Sequence, residues 1–502
     1  MEATKKGPTK SGAAAAPAVQ SEFGSKALSP QQPLYDNVTK QEEEQKLIAV
    51  LKSDGLEYDK DTACRRLAAI GTKAAVPALA ALLSDEHLCD VARYGLETIP
   101  DPAVDETLRG ALGKLKGRQQ IGVINSIGIR KDAGAVDGLV KRLGDADAGV
   151  AAACAAALGK IGGPEATPAL LRALTGDPAV VRPAVGEACV AIGDTLLAGG
   201  KGAEAFAIFD QLRRAELPKP IFLAATLGSI RARGNEGASL LVEQIKSNDW
   251  DVFDMALRLV RELPGAEVTR AVAAQVADLS PEKRILVLKA LGDRRDAAAL
   301  PVALELAGSK TGDAKVRIAA LQAAAQLGDA TVVPVLFGAA LDPDAVVAEA
   351  ARMSLAGIPS TDEKVNEAIT ARLADKDPKA RRIAVEAVGK RHVLGAVATL
   401  AKAGDDSDAE TRVAVLQALT EMALAHRGDA AARDAAKQAA LALAEKLTSS
   451  NPTESAGAKK RLTEVVDKKG PVPMNSPGLP QPGEPARAKA KQRGGKGKAE
   501  AK

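Results

Sequence analysis

Residues 131–163 read KDAGAVDGLVKRLGDADAGVAAACAAALGKIGG, and the spacing within them decides the fold. Val136, Leu139, Val140 and Leu143 recur at i, i+3, i+4 and i+7, and after Gly144-Asp145-Ala146-Asp147 the same period returns in Val150, Ala153, Cys154, Ala157, Leu158 and Ile161. Two short amphipathic helices joined by a tight turn satisfy that pattern. Asp147 is placed to cap the second helix, and Gly162 and Gly163 give the backbone the freedom to leave it. Pro164 then falls where a first helical turn accepts proline, with Glu165 at the positive end of the next helix. One helical hairpin closes and another begins.

Working outward, the hairpin ending recurs. Ile70-Gly71, Ile99-Pro100, Ile127-Gly128, Ile161-Gly162, Ile192-Gly193, Leu263-Pro264, Leu291-Gly292, Leu327-Gly328, Ile358-Pro359 and Val388-Gly389 stand mostly 28 to 36 residues apart. A period in that range is the mark of a solenoid. The interval from Gly193 to Pro264 holds two units with a weakly marked boundary near Gly234, so roughly twelve hairpins are expected between residues 41 and 450. Ala431 to Leu447 reads as a last, Ala-rich helix closing the stack. A chain of 502 residues with 46% hydrophobic but only 2% aromatic content suits such an array, because small side chains let thin helical layers approach closely.

Residues 1–40 lack a helical period and are expected to be disordered; order begins near Pro33-Leu34-Tyr35. Residues 451–502 form a Pro/Gly/Lys/Ala-rich tail, also expected to be disordered apart from a brief helix around Ala458 to Asp467. The stretch 201–234 has a tetratricopeptide flavour in Ala203, Phe206, Ala207, Leu212 and Ala215. Together with Phe209, Phe222, Trp250 and Phe253, Phe206 makes an aromatic concentration in an aromatic-poor chain. These five either fill a wider gap in the stack or form a partner-binding patch, since Trp and Phe anchors dominate many interfaces.

Ala74 to Leu83, Gly134 to Leu143 and Ala166 to Leu174 resemble the first helix of HEAT repeats, and Val150 to Gly162 resembles the second. The short-repeat branch known as phycobilisome-lyase HEAT-like, found in many bacterial HEAT-repeat proteins, is the family the pattern is most similar to. The resulting expectation is an all-α fold: a right-handed α-solenoid, or α-α superhelix, of about twelve HEAT-like hairpins. The resemblance implies first helices on the convex side and second helices on the concave side. It also implies a ladder of hydrogen bonds between neighbouring repeats from an Asp in the turn and an Arg early in the second helix. The matching positions are Asp61 with Arg65, Asp177 with Arg182, Asp313 with Arg317, Asp377 with Arg381 and Asp408 with Arg412. Ala151 stands where the opening copy would carry the Arg, so the ladder is expected to break there.

Chemistry is sparse in this composition. His87, His392 and His426 are far apart in sequence, and a solenoid keeps distant repeats apart, so neither a triad nor a shared metal site can be built from them. The His-Glu dipeptides by which HEAT-type deoxyhypusine hydroxylases hold iron are missing from the sequence. Bilin lyases of the phycobilisome type remain an alternative from the same resemblance, against which stand the chain's length and its low aromatic content. The glycine-rich runs at 159–163 and 494–497 lack P-loop spacing. No catalytic residue, cofactor or metal is therefore expected, and the chain is read as a non-catalytic protein-protein interaction scaffold or adaptor.

Residues 451–502 carry 12 Lys or Arg against 5 Asp or Glu, whereas the remainder is slightly acidic. Nucleic-acid contact, if any, belongs to this tail, and it would be weak and salt-sensitive because no aromatics interleave the charges. Cys64, Cys89, Cys154 and Cys189 form no CxxC pair and read as small core residues in a reducing compartment. With no secretory signal and no apolar run long enough to span a bilayer, the expected location is the cytoplasm.

Overall fold

In the computed structural model, which describes residues 21–23, 31–176, 179–310, 312–359, 363–425 and 430–464, the opening stretch becomes a 3-10 turn, Ala133–Ala135, followed by the helices Val136–Val140 and Ala148–Ile161. Asp147 caps the longer helix: one carboxylate oxygen accepts from the N–H groups of Gly149 and Val150 at 2.8 and 3.3 Å. Gly162 and Gly163 leave it at φ 65° and 94°, values that cost glycine little and other residues much. Helix Gly163–Ala173 then opens with Pro164 in its first turn.

All regular elements among the described residues are helical, and they alternate as hairpins. The chain divides into two units, Met1–Pro359 and Ser360–Lys502. The first holds ten described hairpins, from Lys40–Lys52 with Glu57–Ile70 to Val333–Ala340 with Ala345–Gly357. In the second there are three: Glu363–Ala371 with Pro378–Lys390, Val397–Ala403 with Ala409–Ala425, and Ala430–Lys446 with Pro452–Glu464. The thirteenth hairpin exists because helix Pro452–Glu464 packs on Ala430–Lys446 and Ala409–Ala425, inside the stretch expected to be tail. Leu462 and Ala458 are the apolar residues it buries, so Ala430–Lys446 does not close the array.

Within each unit a helix touches its hairpin partner and the neighbouring repeats, which makes the fold an α-solenoid. Helix Ala148–Ile161 packs on the second helices before and after it, Gly117–Arg130 and Arg182–Ala198, and Pro378–Lys390 packs in the same way on Ala409–Ala425. The glycines at the recurring marks explain how close this row is. Gly71, Gly162 and Gly328 do end helices. Gly128, Gly292 and Gly389, by contrast, lie inside helices that run on to Arg130, Arg294 and Lys390. A Cβ at Gly128 would stand 2.9 Å from the Ala157 Cα, and one at Gly389 would stand 3.0 Å from the Ala418 Cα. Their role is to let the next second helix approach, with an alanine facing each glycine.

Gly159 faces Ala188 in the same way, its Cβ position lying 2.9 Å from the Ala188 Cα. Gly159→Val is therefore expected to cost about 1–3 kcal/mol by overpacking. Hydrogen exchange should show the loss first in the helices 148–198 and leave repeats on the far side of the unit protected. Uniform deprotection of residues 40–359 would contradict nearest-neighbour stacking.

The first hairpin is closed by residues 21–23 and 31–39, part of the segment expected to be disordered. Asp59, buried at the start of helix Glu57–Ile70, accepts from the Ser21 hydroxyl and from the Glu22 N–H at 2.8 Å. Tyr35 donates to Glu22 at 2.7 Å and meets Phe23 edge-on, with the Lys46 ammonium over its ring. Glu43, 2% exposed, accepts from the Leu34 N–H and takes both Nε and Nη2 of Arg66 at 2.9 Å. Polar groups buried at an array end are thus satisfied by chain that carries no helical period.

Candidate functional site

The five aromatic candidates separate by burial. Phe209 and Phe253 have no exposed surface and are core side chains, which corrects their assignment to a partner-binding patch. Phe209, on helix Gly202–Arg214, is wedged between Gly193 and Gly228, where a Cβ would lie 2.6 and 2.5 Å from its ring. Phe206 and Phe222 are half-buried, and Phe206 lies under the Arg233 guanidinium. Trp250 alone of the five is open, at 56% exposure, on the first turn of helix Trp250–Glu262. Its ring stands at 86° to that of Phe253, and next to it Lys219 bridges the carboxylates of Asp249 and Asp251.

Other exposed large side chains follow the same geography. Tyr58, Tyr94, Ile129, Trp250, Val346 and Met353 all lie on second helices of the first unit. Val180 and Leu341 occupy the turns that lead into second helices. Among the described residues only Leu394 lies elsewhere, in the 3-10 turn before helix Val397–Ala403. Of these, sequence reading picked out only Trp250, because the others are single bulky side chains that stand outside the apolar stripes, on exposed helix faces or in turns. That off-stripe placement is the signal that marks them.

The expected Asp–Arg ladder exists in part, with a different acceptor. Arg317 reaches Asp342 of the next turn at 2.9 Å, and Arg381 grips Asp406 through Nε and Nη2 at 2.6 and 2.8 Å. Asp313, Asp377 and Asp408 cap their own helices instead. The bridging aspartate stands two residues before the cap, and its carboxylate also accepts the N–H of the capping residue, as Asp342 does from Asp344 and Asp406 from Asp408. These bonds hold Asp342 and Asp406 below the usual carboxylate range, the first chiefly through the Asp344 N–H and the second chiefly through Arg381. Asp61 and Arg65 pair with each other within one helix. Arg182 turns back to the Gly176 carbonyl at 3.3 Å, and Arg412 to the carbonyls of Asp406 and Ser407. Asp177 lies outside the described residues.

A second arginine series, not foreseen, sits at the ends of second helices. Arg130 donates to the carbonyls of Glu97, Ile99 and Asp101 in the preceding repeat and pairs with Asp105. Arg294 donates to Val260, Leu263 and Gly265 and, through Nε, to the Thr269 hydroxyl at 2.6 Å. Arg391 donates through Nε to Asn366 at 3.0 Å. Each side-chain partner lies 25 residues before its arginine. The residue after Arg130, Arg294 and Arg391 has φ near 55°, so the shared Gly-x-Arg-x pattern was the readable sign.

In the second unit a groove of about 1130 Å³ opens between the first helices Glu363–Ala371 and Val397–Ala403, with the 391–396 turn as its floor. His392 is exposed on that turn, His87 is exposed in a turn of the first unit, and His426 lies outside the described residues. All four cysteines are buried and free, and burial pushes the thiols of Cys64, Cys154 and Cys189 up to about 12. Such thiols are poor nucleophiles at neutral pH. Among the described residues no helix is long and apolar enough to cross a membrane.

The family described as HEAT repeats matches residues 118–189 and 268–356. Those two stretches are HEAT repeats. They include the close second-helix contacts of Gly128 and Gly159 and the first bridging pair, Arg317 with Asp342. No curated protein matches the chain. Among solved structures it is similar to Kap95p in its complex with RanGDP, at 15% identity and TM-score 0.43 over 86% of this chain and 66% of that one. It is similar to Kap121p bound to Nup53p at 11% identity and TM-score 0.47, covering 86% of this chain and 57% of that one. Human deoxyhypusine hydroxylase matches at 22% identity and TM-score 0.23, over 56% of this chain and 95% of that one. The chain thus spans just under two thirds of Kap95p and a little over half of Kap121p.

Proposed function

We propose that this protein is a non-catalytic scaffold that binds another protein along the second helices of its first unit. The observation that carries this reading is the placement of its exposed bulky side chains: eight of the nine lie on second helices or in the turns entering them. In an aromatic-poor chain, leaving Trp250, Tyr58 and Tyr94 exposed costs hydrophobic stabilisation unless a partner covers them. Affinity would be spread over several repeats, with Trp250 as the largest single anchor. A cytoplasmic setting fits four buried free thiols.

The test is affinity capture from cell extract with and without nuclease treatment, identification of the retained protein, and titration of that protein against variants. Trp250→Ala and Tyr94→Ala are each expected to weaken binding about tenfold while leaving unfolding unchanged within about 0.5 kcal/mol. A partner that binds both variants as tightly as the unaltered protein would reject the second-helix row. Retention that nuclease abolishes would instead favour nucleic-acid contact through residues 451–502.

A further inference from the structure

The step from helix Lys219–Arg233 to helix Trp250–Glu262 is built differently from the steps before it. From Gly117–Arg130 onward each second helix offers a glycine to the next: Gly128 meets Ala157, Gly159 meets Ala188, and a Cβ at Gly186 would stand 3.1 Å from the Ile221 side chain. Lys219–Arg233 has one glycine, Gly228, which is taken by the Phe209 ring of its own hairpin, and Trp250–Glu262 has none. Ile230-Arg231 stands where the earlier helix carries Ile127-Gly128, two residues before the helix end. The two helices accordingly touch more sparsely than either touches its other second-helix neighbour.

Ion pairs span the step instead, Lys219 with Asp249 and Asp251 at one end and Arg231 with Glu262 at 2.5 Å at the other. Each of these side chains is between 41% and 65% exposed, so the pairs are weak and screened by salt. The following step is held by more: Arg294 donates to the carbonyls of Val260, Leu263 and Gly265, and Lys283 donates to the Ser247 carbonyl at 2.6 Å. Helix Trp250–Glu262 is thus tied to the repeat after it more firmly than to the one before. Between the two ends of the looser step lies a buried defect. Thr226 stands two turns after Lys219, on the face turned toward Trp250–Glu262. It is fully buried, and its hydroxyl has no hydrogen-bond partner among the described residues. Thr420, also buried in a second helix, returns its hydroxyl to the Leu416 carbonyl at 2.7 Å. An unsatisfied buried hydroxyl disfavours the closed step, and water entering an opened one satisfies it.

We propose that the first unit bends at the step between helices Lys219–Arg233 and Trp250–Glu262, and that the exposed ion pairs across it set the bend. Rising ionic strength loosens this step and leaves the glycine-lined steps before it unchanged. Bending there moves Trp250 relative to Tyr58 and Tyr94, the exposed aromatics on second helices earlier in the row.

The experiment places spin labels on the full chain through introduced cysteines, since the four native thiols are buried. Glu187→Cys with Arg258→Cys spans the step and the glycine-lined one before it, whereas Ile129→Cys with Glu187→Cys spans two glycine-lined steps; all three positions are exposed. Double electron–electron resonance gives the distance distribution of each pair. Raising the salt from about 50 mM to about 0.5 M should widen the first distribution about twofold and leave the second unchanged. Lys219→Gln with Arg231→Gln should give the same widening at low salt. Thr226→Val, which removes the unsatisfied hydroxyl and keeps the shape of the side chain, should narrow the first distribution. Widths that rise with salt equally in both pairs, or in neither, would overturn the proposal. A Thr226→Val width no smaller than that of the unaltered protein would overturn it as well.

Discussion

Phe209→Ala is expected to destabilise the first unit by about 3–5 kcal/mol, the range for removing a fully buried phenylalanine whose site cannot collapse. The wedge between Gly193 and Gly228 is the reason. Both walls are glycine positions of the second helices Arg182–Ala198 and Lys219–Arg233, which carry no side chain of their own to fill the cavity. The converse change, Gly228→Ala, drives a methyl group into the ring and should cost about 1–3 kcal/mol. Combined with Phe209→Leu it should cost less than the sum of the two single changes, because the smaller side chain vacates the space the methyl group needs. Urea unfolding followed by circular dichroism gives the magnitudes, and hydrogen exchange gives the location, which should be residues 182–233. A loss below about 1 kcal/mol for Phe209→Ala would mean that the ring is not clamped.

Breaking the Glu43–Arg66 pair comes next in size. Both side chains are almost fully buried, at 3% and 6% exposure, so Arg66→Met leaves a carboxylate without its bidentate partner and should cost about 3–5 kcal/mol. Replacing both residues, Glu43→Leu with Arg66→Met, should cost less than the single change, since no uncompensated charge remains. Acid should act on the same pair. The Arg66 guanidinium holds the Glu43 carboxyl below its usual range, outweighing the burial that pushes it up. A carboxyl depressed in the folded state stabilises fully above its unfolded value of 4.5, and that contribution is lost as pH falls through the lower folded value. Glu43→Gln should therefore flatten the pH dependence of stability below about 4.5, with hydrogen exchange of residues 31–70 as the readout. An unchanged acid limb in that variant would assign the acid sensitivity to other carboxylates.

The hairpin period was legible because the signals that set it are local. Asp147 caps the helix it precedes, Pro164 begins the next, and the apolar stripe from Val150 to Ile161 states which face is buried. Each involves residues within a turn or two of one another, so neither neighbouring repeats nor a partner is needed to read them. The candidate site was legible only as a region. Concentration of aromatics drew attention to residues 206–253, yet burial then placed Phe209 and Phe253 in the core and left Trp250 at the surface.

Sequence alone therefore determined an all-α array of HEAT-like hairpins, where its helices start, and that its basic charge collects at one end. Tertiary structure decided which glycines end helices and which admit a neighbouring helix, which aspartate each arginine holds, and where a groove opens. Gly128 against Ala157, Arg381 with Asp406 and Arg391 with Asn366 all meet across 25 to 29 residues. At that separation the outcome depends on how one repeat stacks on the next, a geometry that the periodicity of a single helix does not contain.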